Sequence, residues 1–385
     1  MTEHREIPFG RPWITDADRN AVLRVLEGHI LTHGPECKAF ESEFGAFLGA
    51  GANCVSVSSC MAALHLAYLH LGIADGDEVI VPALTHVATV HAVEWVKAKP
   101  VCVDCDPATG NITAKHIAAA ITPRTKAISL VHFAGIPCEM PAIVDLAKKH
   151  DLKIIEDCAI AIGARWAGTH VGLFGDIGCF SFYPVKHITT AEGGMFLSRH
   201  KGVADAVAKL RAFGVDRTHS ERQIPGMYEV PSLGLNYRMS EMQAALGRTQ
   251  MARIDENLKM RKANFELLKS EVEGLPLRVL DATSNDAKNS HYCLIAVMDD
   301  KLAPKRNDIV KKLNAAGIGT SVYYPQPVPR MAYYRTKYGY DEARFPEASK
   351  ISDGGIAFPV GWHVSADDMR YIGRTLKQIV KQEGT

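Results

Sequence analysis

From residue 53 to about residue 200, short β-rich runs alternate with helical segments. The runs are Cys54-Val-Ser-Val57, Glu78-Val-Ile-Val81, Pro100-Val-Cys-Val103, Ala127-Ile-Ser-Leu-Val131, Lys153-Ile-Ile155 and Gly178-Cys-Phe-Ser-Phe182. Between them lie patterns such as Ala62-Ala-Leu-His-Leu-Ala-Tyr68 and Ile143-Val-Asp-Leu-Ala147. This alternation predicts crossover units, an α/β fold with a mainly parallel sheet and helices on both faces. Upstream, Thr15-Asp-Ala-Asp18 reads as a capping-box-like start to a helix bearing Val22, Leu23, Val25 and Leu26. A second helix places Phe40, Phe44, Phe47 and Leu48 on one face, as core.

Residues 214–235 form a Gly- and Pro-containing connection too long for a simple turn. A long helical stretch is expected from about Ser240 to Glu271, with Met242, Ala245, Leu246, Met251 and Ile254 among its apolar positions, bridging to a second lobe. That lobe mixes strands at 292–297 and 320–323 with helices at 307–315 and 365–380. Since single cores seldom grow past roughly 250 to 300 residues, the 385 residues divide into a large domain (1–250, with an N-terminal helical segment) and a small C-terminal α+β domain (251–385).

Composition changes the picture little. Hydrophobic content of 47% and charged content of 23% suit a folded globular protein, and a net charge of +1 gives no field to hold nucleic acid. The N-terminus carries charges where a secretory signal needs an apolar run, and nothing reaches the roughly 18 apolar residues of a membrane span. The nine cysteines are odd in number and sit mostly in apolar runs, which suits a reducing, cytoplasmic setting. Cys102-Val-Asp-Cys105 has the spacing of half a zinc site, but no second pair matches it, so no metal is expected.

The candidate chemistry centres on Lys186, inside the apolar and aromatic run from Gly178 to Gly194, and on Asp157, which ends the strand Lys153-Ile-Ile-Glu-Asp157. A lone lysine is most often a snorkelling surface side chain. Here both residues would emerge at the carboxyl ends of parallel strands, where ligands bind. A desolvated amine beside a carboxylate suggests a Schiff-base lysine and a pyridinium partner, the minimum kit for pyridoxal phosphate. Ser58-Ser-Cys-Met-Ala-Ala-Leu64, directly after the first strand, offers hydroxyls and a helix start for a phosphate, and Ser181 could add another hydroxyl.

At these residues the chain resembles the DegT/DnrJ/EryC1/StrS family of pyridoxal-phosphate-dependent sugar aminotransferases. The matching pieces span nearly the whole length and include Leu31-Thr-His-Gly-Pro35, Val57-Ser-Ser-Cys-Met-Ala-Ala-Leu64, Glu156-Asp-Cys-Ala159, Phe180-Ser-Phe-Tyr-Pro-Val-Lys186, Glu192-Gly-Gly194 and Gly234-Leu-Asn-Tyr-Arg-Met239. The resemblance implies an aspartate-aminotransferase-type fold (fold type I) whose large domain binds the cofactor. It gives Lys186 as the catalytic lysine and Asp157 as the pyridine-nitrogen partner. Ser59, Ser181 and the backbone of Cys60 and Met61 form the phosphate cradle, and His86 takes the place of an aromatic stacking on the ring. Asn236 matches an asparagine that reaches the neighbouring subunit's cofactor, implying a homodimer with shared sites. Met61 replaces a common threonine, Ile160 a common His or Gln, and His86 a Phe or Trp, so these three hint at a less typical pocket. His187 is left unassigned.

The implied reaction moves an amino group from L-glutamate to a keto sugar. Ile188-Thr-Thr-Ala-Glu-Gly-Gly194 is similar to members that aminate carbon 4 of a nucleotide-linked 4-keto-6-deoxy sugar. A 3-keto sugar or a cyclitol is the alternative acceptor. The family's 3-dehydratase branch carries His in place of the lysine, and a non-catalytic regulatory member would not need Lys186.

Overall fold

The computed structural model describes residues 5–216, 224 and 226–383. The first four residues, and positions 217–223 and 225 of the 214–235 connection, lie outside the described residues.

The large domain is built on a seven-stranded sheet in the order Asn53–Val57, Gly194–Ser198, Ile177–Ser181, Lys153–Asp157, Thr125–Val131, Glu78–Pro82, Lys99–Val103. Gly194–Ser198 runs antiparallel to both neighbours and the other strands are mutually parallel. The Val- and Ile-rich runs are buried on both faces, as parallel strands must be when helices cover each side. Tyr68, Val90 and Val93 of two crossover helices pack on one face, and Ile143 and Ala147 of another lie in a separate cluster with Ile128 and Ile154. Phe40, Phe44 and Leu48 are buried with Phe180 and Phe182, so the aromatic face of that helix is core, as its spacing predicts. Asp18 accepts the Thr15 amide and hydroxyl at 2.6 and 2.8 Å, as the capping-box pattern predicts.

Two expectations are corrected. The stretch 240–271 is two helices, Glu241–Met251 and Ile254–Glu271. The break falls at Arg253, whose guanidinium is held by Asp18 at 2.6 Å and by the Trp13 carbonyl at 2.7 Å, contacts that no local pattern reveals. Residues 320–323 form no strand, only an isolated bridge from Ser321 to Ala357. The small-domain sheet consists instead of Leu277–Val279, Leu294–Met298 and Gly355–Phe358, all antiparallel.

The second core joins Phe265, Leu268, Ile309, Leu313, Ile372 and Leu376. Ile7 packs into it and forms an isolated bridge with Ile318. Gly317 permits this approach: at φ +75°, an added Cβ would lie 1.7 Å from the Arg5 carbonyl oxygen.

Candidate active site

Asp157 closes the central strand and is buried. Its Oδ1 accepts the Ala159 N–H at 3.0 Å and faces the Cys60 thiol at 3.8 Å. Its Oδ2 accepts the Thr89 hydroxyl at 2.8 Å, and that hydroxyl lies 2.9 Å from the Thr85 hydroxyl. Two neutral side chains from two different crossover helices thus orient the carboxylate.

Lys186 follows the strand Ile177–Ser181 in a loop closed by backbone bonds from Phe182 N–H to the Gly193 carbonyl and from Thr190 N–H to the Phe182 carbonyl, both 2.9 Å. Its amine lies 5.2 Å from the centroid of the Tyr292 ring. Burial pushes the amine below the ordinary lysine pKa, while Cys60, Asp157 and Cys293 pull the other way. A carboxylate and a partly desolvated amine therefore share one space, where the amine can reach its neutral, nucleophilic form.

Ser59 caps the helix Cys60–His70, its hydroxyl accepting the Ala62 N–H at 3.1 Å. A helix start leaves its first N–H groups without intrahelical partners, so those of Cys60 and Met61 are available to an anion. Gly194 lies directly against this turn: an added Cβ would stand 2.4 Å from the Ser59 carbonyl carbon and 2.6 Å from the Cys60 nitrogen. Ser181 pairs with Gly194 across the strands, which brings its buried hydroxyl to the same corner. That hydroxyl accepts the Tyr183 N–H at a long 3.4 Å.

The structure thus brings together Ser59, Cys60, Met61, Asp157, Ser181 and Lys186. His86 caps the helix Val87–Trp95, accepting the Ala88 N–H at Nδ1 over 3.2 Å, with its ring 5.7 Å from that of Tyr324. Burial lowers the His86 pKa, and the Lys186 charge lowers it further. Asn236 stands apart. It is exposed in the segment whose Tyr237 carbonyl accepts the Ser58 N–H at 2.8 Å. Ile160 is buried in an apolar cluster with Phe133, Leu280 and Tyr292. His187 is buried behind the lysine, with Nε2 donating to the Ser290 carbonyl at 3.1 Å.

Sequence reading missed the small-domain side of the site. Tyr292 and Tyr323 share a 2.7 Å hydroxyl contact, and Tyr323 neighbours Tyr324, which borders His86. The only sequence signal was the tandem Tyr323-Tyr324 in a stretch read as a strand. Thr89 was likewise hidden, since its helical spacing says nothing of a carboxylate 68 positions away.

The ligand-type cluster that the described residues form lies elsewhere, at His132, Glu156 and Cys158, and does not include Cys102 or Cys105. Glu156 accepts three backbone N–H groups, from Gly172, Phe174 and Gly175, at 2.7 to 2.8 Å, and the His132 Nε2–H at 3.0 Å. His132 Nδ1 accepts the Cys138 N–H at 3.1 Å, so Nε2 carries the proton and has no lone pair for a metal.

The sequence matches the DegT/DnrJ/EryC1/StrS aminotransferase family over residues 12–377. It is 34% identical over 380 residues to the spore coat polysaccharide biosynthesis protein SpsC of Bacillus subtilis, covering 97% of each chain. It is 33% identical over 384 residues to the GDP-perosamine synthase of Caulobacter vibrioides, covering 99% of this chain and 100% of that protein. Among solved structures, Spr1654 of Streptococcus pneumoniae, described as a sugar aminotransferase in its PMP form, superposes with a TM-score of 0.93 at 28% identity over 98% of this chain and 100% of that one. It has also been solved in a PLP form.

Proposed function

The chain belongs to the DegT/DnrJ/EryC1/StrS aminotransferase family, and from that premise we propose that it transfers an amino group from L-glutamate to carbon 4 of a nucleotide-linked 4-keto-6-deoxy sugar. It is a pyridoxal-phosphate-dependent sugar aminotransferase of fold type I. One observation carries the reading of the site: the Lys186 amine, the Asp157 carboxylate and the start of the helix Cys60–His70 face one space.

The residues present fit the cofactor. Bound pyridoxal phosphate supplies an electron sink for the pair left when a carbon–hydrogen bond beside the reacting nitrogen breaks. Lys186 would tether the cofactor, and its amine in the neutral form would be the base that moves the proton. Asp157 holds the pyridine nitrogen protonated, and the Thr89 hydroxyl and Cys60 thiol keep that carboxylate aimed. Ser59, the N–H groups of Cys60 and Met61, and Ser181 hold the phosphate. His86, beside Lys186, would stack on the ring, and Asn236 would complete the cradle of the neighbouring subunit in a homodimer.

The likeness to a GDP-perosamine synthase supports a nucleotide-linked acceptor, and the likeness to SpsC supports a role in polysaccharide biosynthesis. The loop from Ile188 to Gly194 supports carbon 4. The nine cysteines, all free, favour work in the cytoplasm.

Purified protein should be yellow with bound cofactor and bleach when L-glutamate is added. A colourless protein that cannot be reconstituted would sink the assignment of Lys186 and Asp157. A panel of nucleotide-linked 3-keto and 4-keto sugars, scored by mass for replacement of carbonyl oxygen by amine, tests the acceptor. Turnover confined to 3-keto sugars would overturn the carbon-4 reading.

A further inference from the structure

Arg261, on the helix Ile254–Glu271, is buried, and no carboxylate pairs with it among the described residues. An unpaired guanidinium in the interior costs several kcal/mol, and burial pushes its pKa down to about 10. Such a residue needs a reason to be there. Its hydrogen bonds lead towards one place. Nε donates to Asn257 Oδ1 at 2.7 Å, and Asn257 Nδ2 donates at 2.8 Å to the carbonyl of His187, the residue that follows Lys186. Nη1 donates to the Tyr292 carbonyl at 2.9 Å, and the Tyr292 ring is the surface 5.2 Å from the Lys186 amine.

We propose that Arg261 is a positioning residue for Lys186, fixing through Asn257 the backbone carbonyl of His187, the residue next to the lysine, and directly the backbone of the tyrosine that covers its amine. A planar guanidinium fork can serve two fixed acceptors at once, which a lysine ammonium cannot do with the same geometry. The helix that carries Arg261 also carries Phe265 and Leu268 into the small-domain core. The same side chain therefore ties the seat of the lysine to the placement of the small domain. Lys186 faces Cys60 from the helix start, Asp157 from the central strand, Tyr292 and Cys293 from the small-domain side, and His86 from its helix cap. Its protonation depends on where the amine sits among them. Removing the brace lets the lysine nitrogen leave the dry surface of Tyr292, which favours its protonated form both as the free amine and when it is linked to the cofactor.

This inference rests on Lys186 being the cofactor lysine. The test uses the full-length holoenzyme and reads the pH midpoint of the change in visible absorbance, together with kcat and KM for L-glutamate and the thermal midpoint. Arg261→Gln should raise the absorbance midpoint by about one pH unit. It should lower kcat by about ten- to a hundredfold, with KM within about twofold of wild type. Asn257→Ala should act in the same direction, and the double variant should be no worse than Arg261→Gln, because both break one chain of bonds. Arg261→Lys keeps the charge without the fork and should resemble Arg261→Gln. An unchanged midpoint in Arg261→Gln, or fully additive effects in the double variant, overturns the inference even if thermal stability falls. Should Arg261→Gln fail to fold, Asn257→Ala decides: a shifted midpoint supports the role and an unshifted one overturns it. The lysine assignment fails separately, if Lys186→Ala keeps the wild-type colour and midpoint.

Discussion

Glu156 and Asp157 are consecutive on one strand and both are buried, yet alternation sends them to opposite faces of the sheet. On one face, Glu156 is saturated by three backbone N–H groups and the His132 imidazole, which knots the turn 172–175 to the sheet. On the other, Asp157 has one backbone partner, at Ala159, and two side-chain partners, at Thr89 and Cys60, beside the space that Lys186 enters. Burial of a carboxylate is thus no sign of function by itself. What separates the two is whether fixed backbone donors exhaust the oxygens or neutral side chains aim them at open space.

Substitution at the two positions should break the proteins in different ways. Asp157→Ala should lower turnover roughly a thousandfold, or about 4 kcal/mol on the barrier, with a thermal midpoint close to wild type. Steady-state rates and melting curves read both numbers. Glu156→Ala should do the reverse. Leaving the buried N–H groups unpaired costs about 3 kcal/mol of stability, seen in denaturant unfolding, while residual folded protein still binds cofactor. A Glu156 variant that is stable and inactive would erase the contrast.

The Glu156 face should also contribute to the acid limit, alongside the buried His187 and His291, whose pKa values burial likewise lowers. His170, just before the turn that Glu156 holds, is buried, with Nε2 accepting the Gly163 N–H at 2.8 Å. Burial pushes its pKa from 6.5 down to about 3. The folded protein keeps it neutral while the unfolded chain takes up a proton below pH 6.5, so stability present above that pH is lost as pH falls towards 3. The expected slope is about 1.4 kcal/mol per pH unit. His170→Gln should lessen the slope of the stability curve from pH 6 to 4 by about 1.4 kcal/mol per pH unit, and an unchanged slope would place the acid sensitivity elsewhere. The smallest effect belongs to the aiming of Asp157. Thr89→Val, nearly isosteric, removes the hydroxyl on Oδ2 and should reduce kcat about tenfold, near 1.4 kcal/mol, with KM for L-glutamate little changed.

The legible part of the site was the large-domain half. Asp157 and Lys186 could be read because each interrupts an apolar run at a strand end, and Ser59 because a serine before a helical pattern is a local capping signal. The small-domain half left no such trace. Tyr292 and Tyr323 are ordinary strand residues by propensity, and their meeting depends on contacts 31 positions apart. The long helix over 240–271 failed for a similar reason: the Asp18 carboxylate that holds Arg253 at the break is 235 positions away.

Periodicity and end signals act over a few residues, and so the sequence by itself determined the α/β alternation, the aromatic core face of Phe40 and Phe44, the helix cap at Ser59 and the candidacy of Asp157 and Lys186. The tertiary structure alone decided that Glu156 is a structural knot and Asp157 is not, that Tyr292 covers the lysine amine with Tyr323 and Tyr324 behind it, and that a buried Arg261 braces the Tyr292 backbone. Each of these is a choice between identical local patterns. Only the partners that distant segments bring to a side chain make that choice, through hydrogen-bond saturation and desolvation.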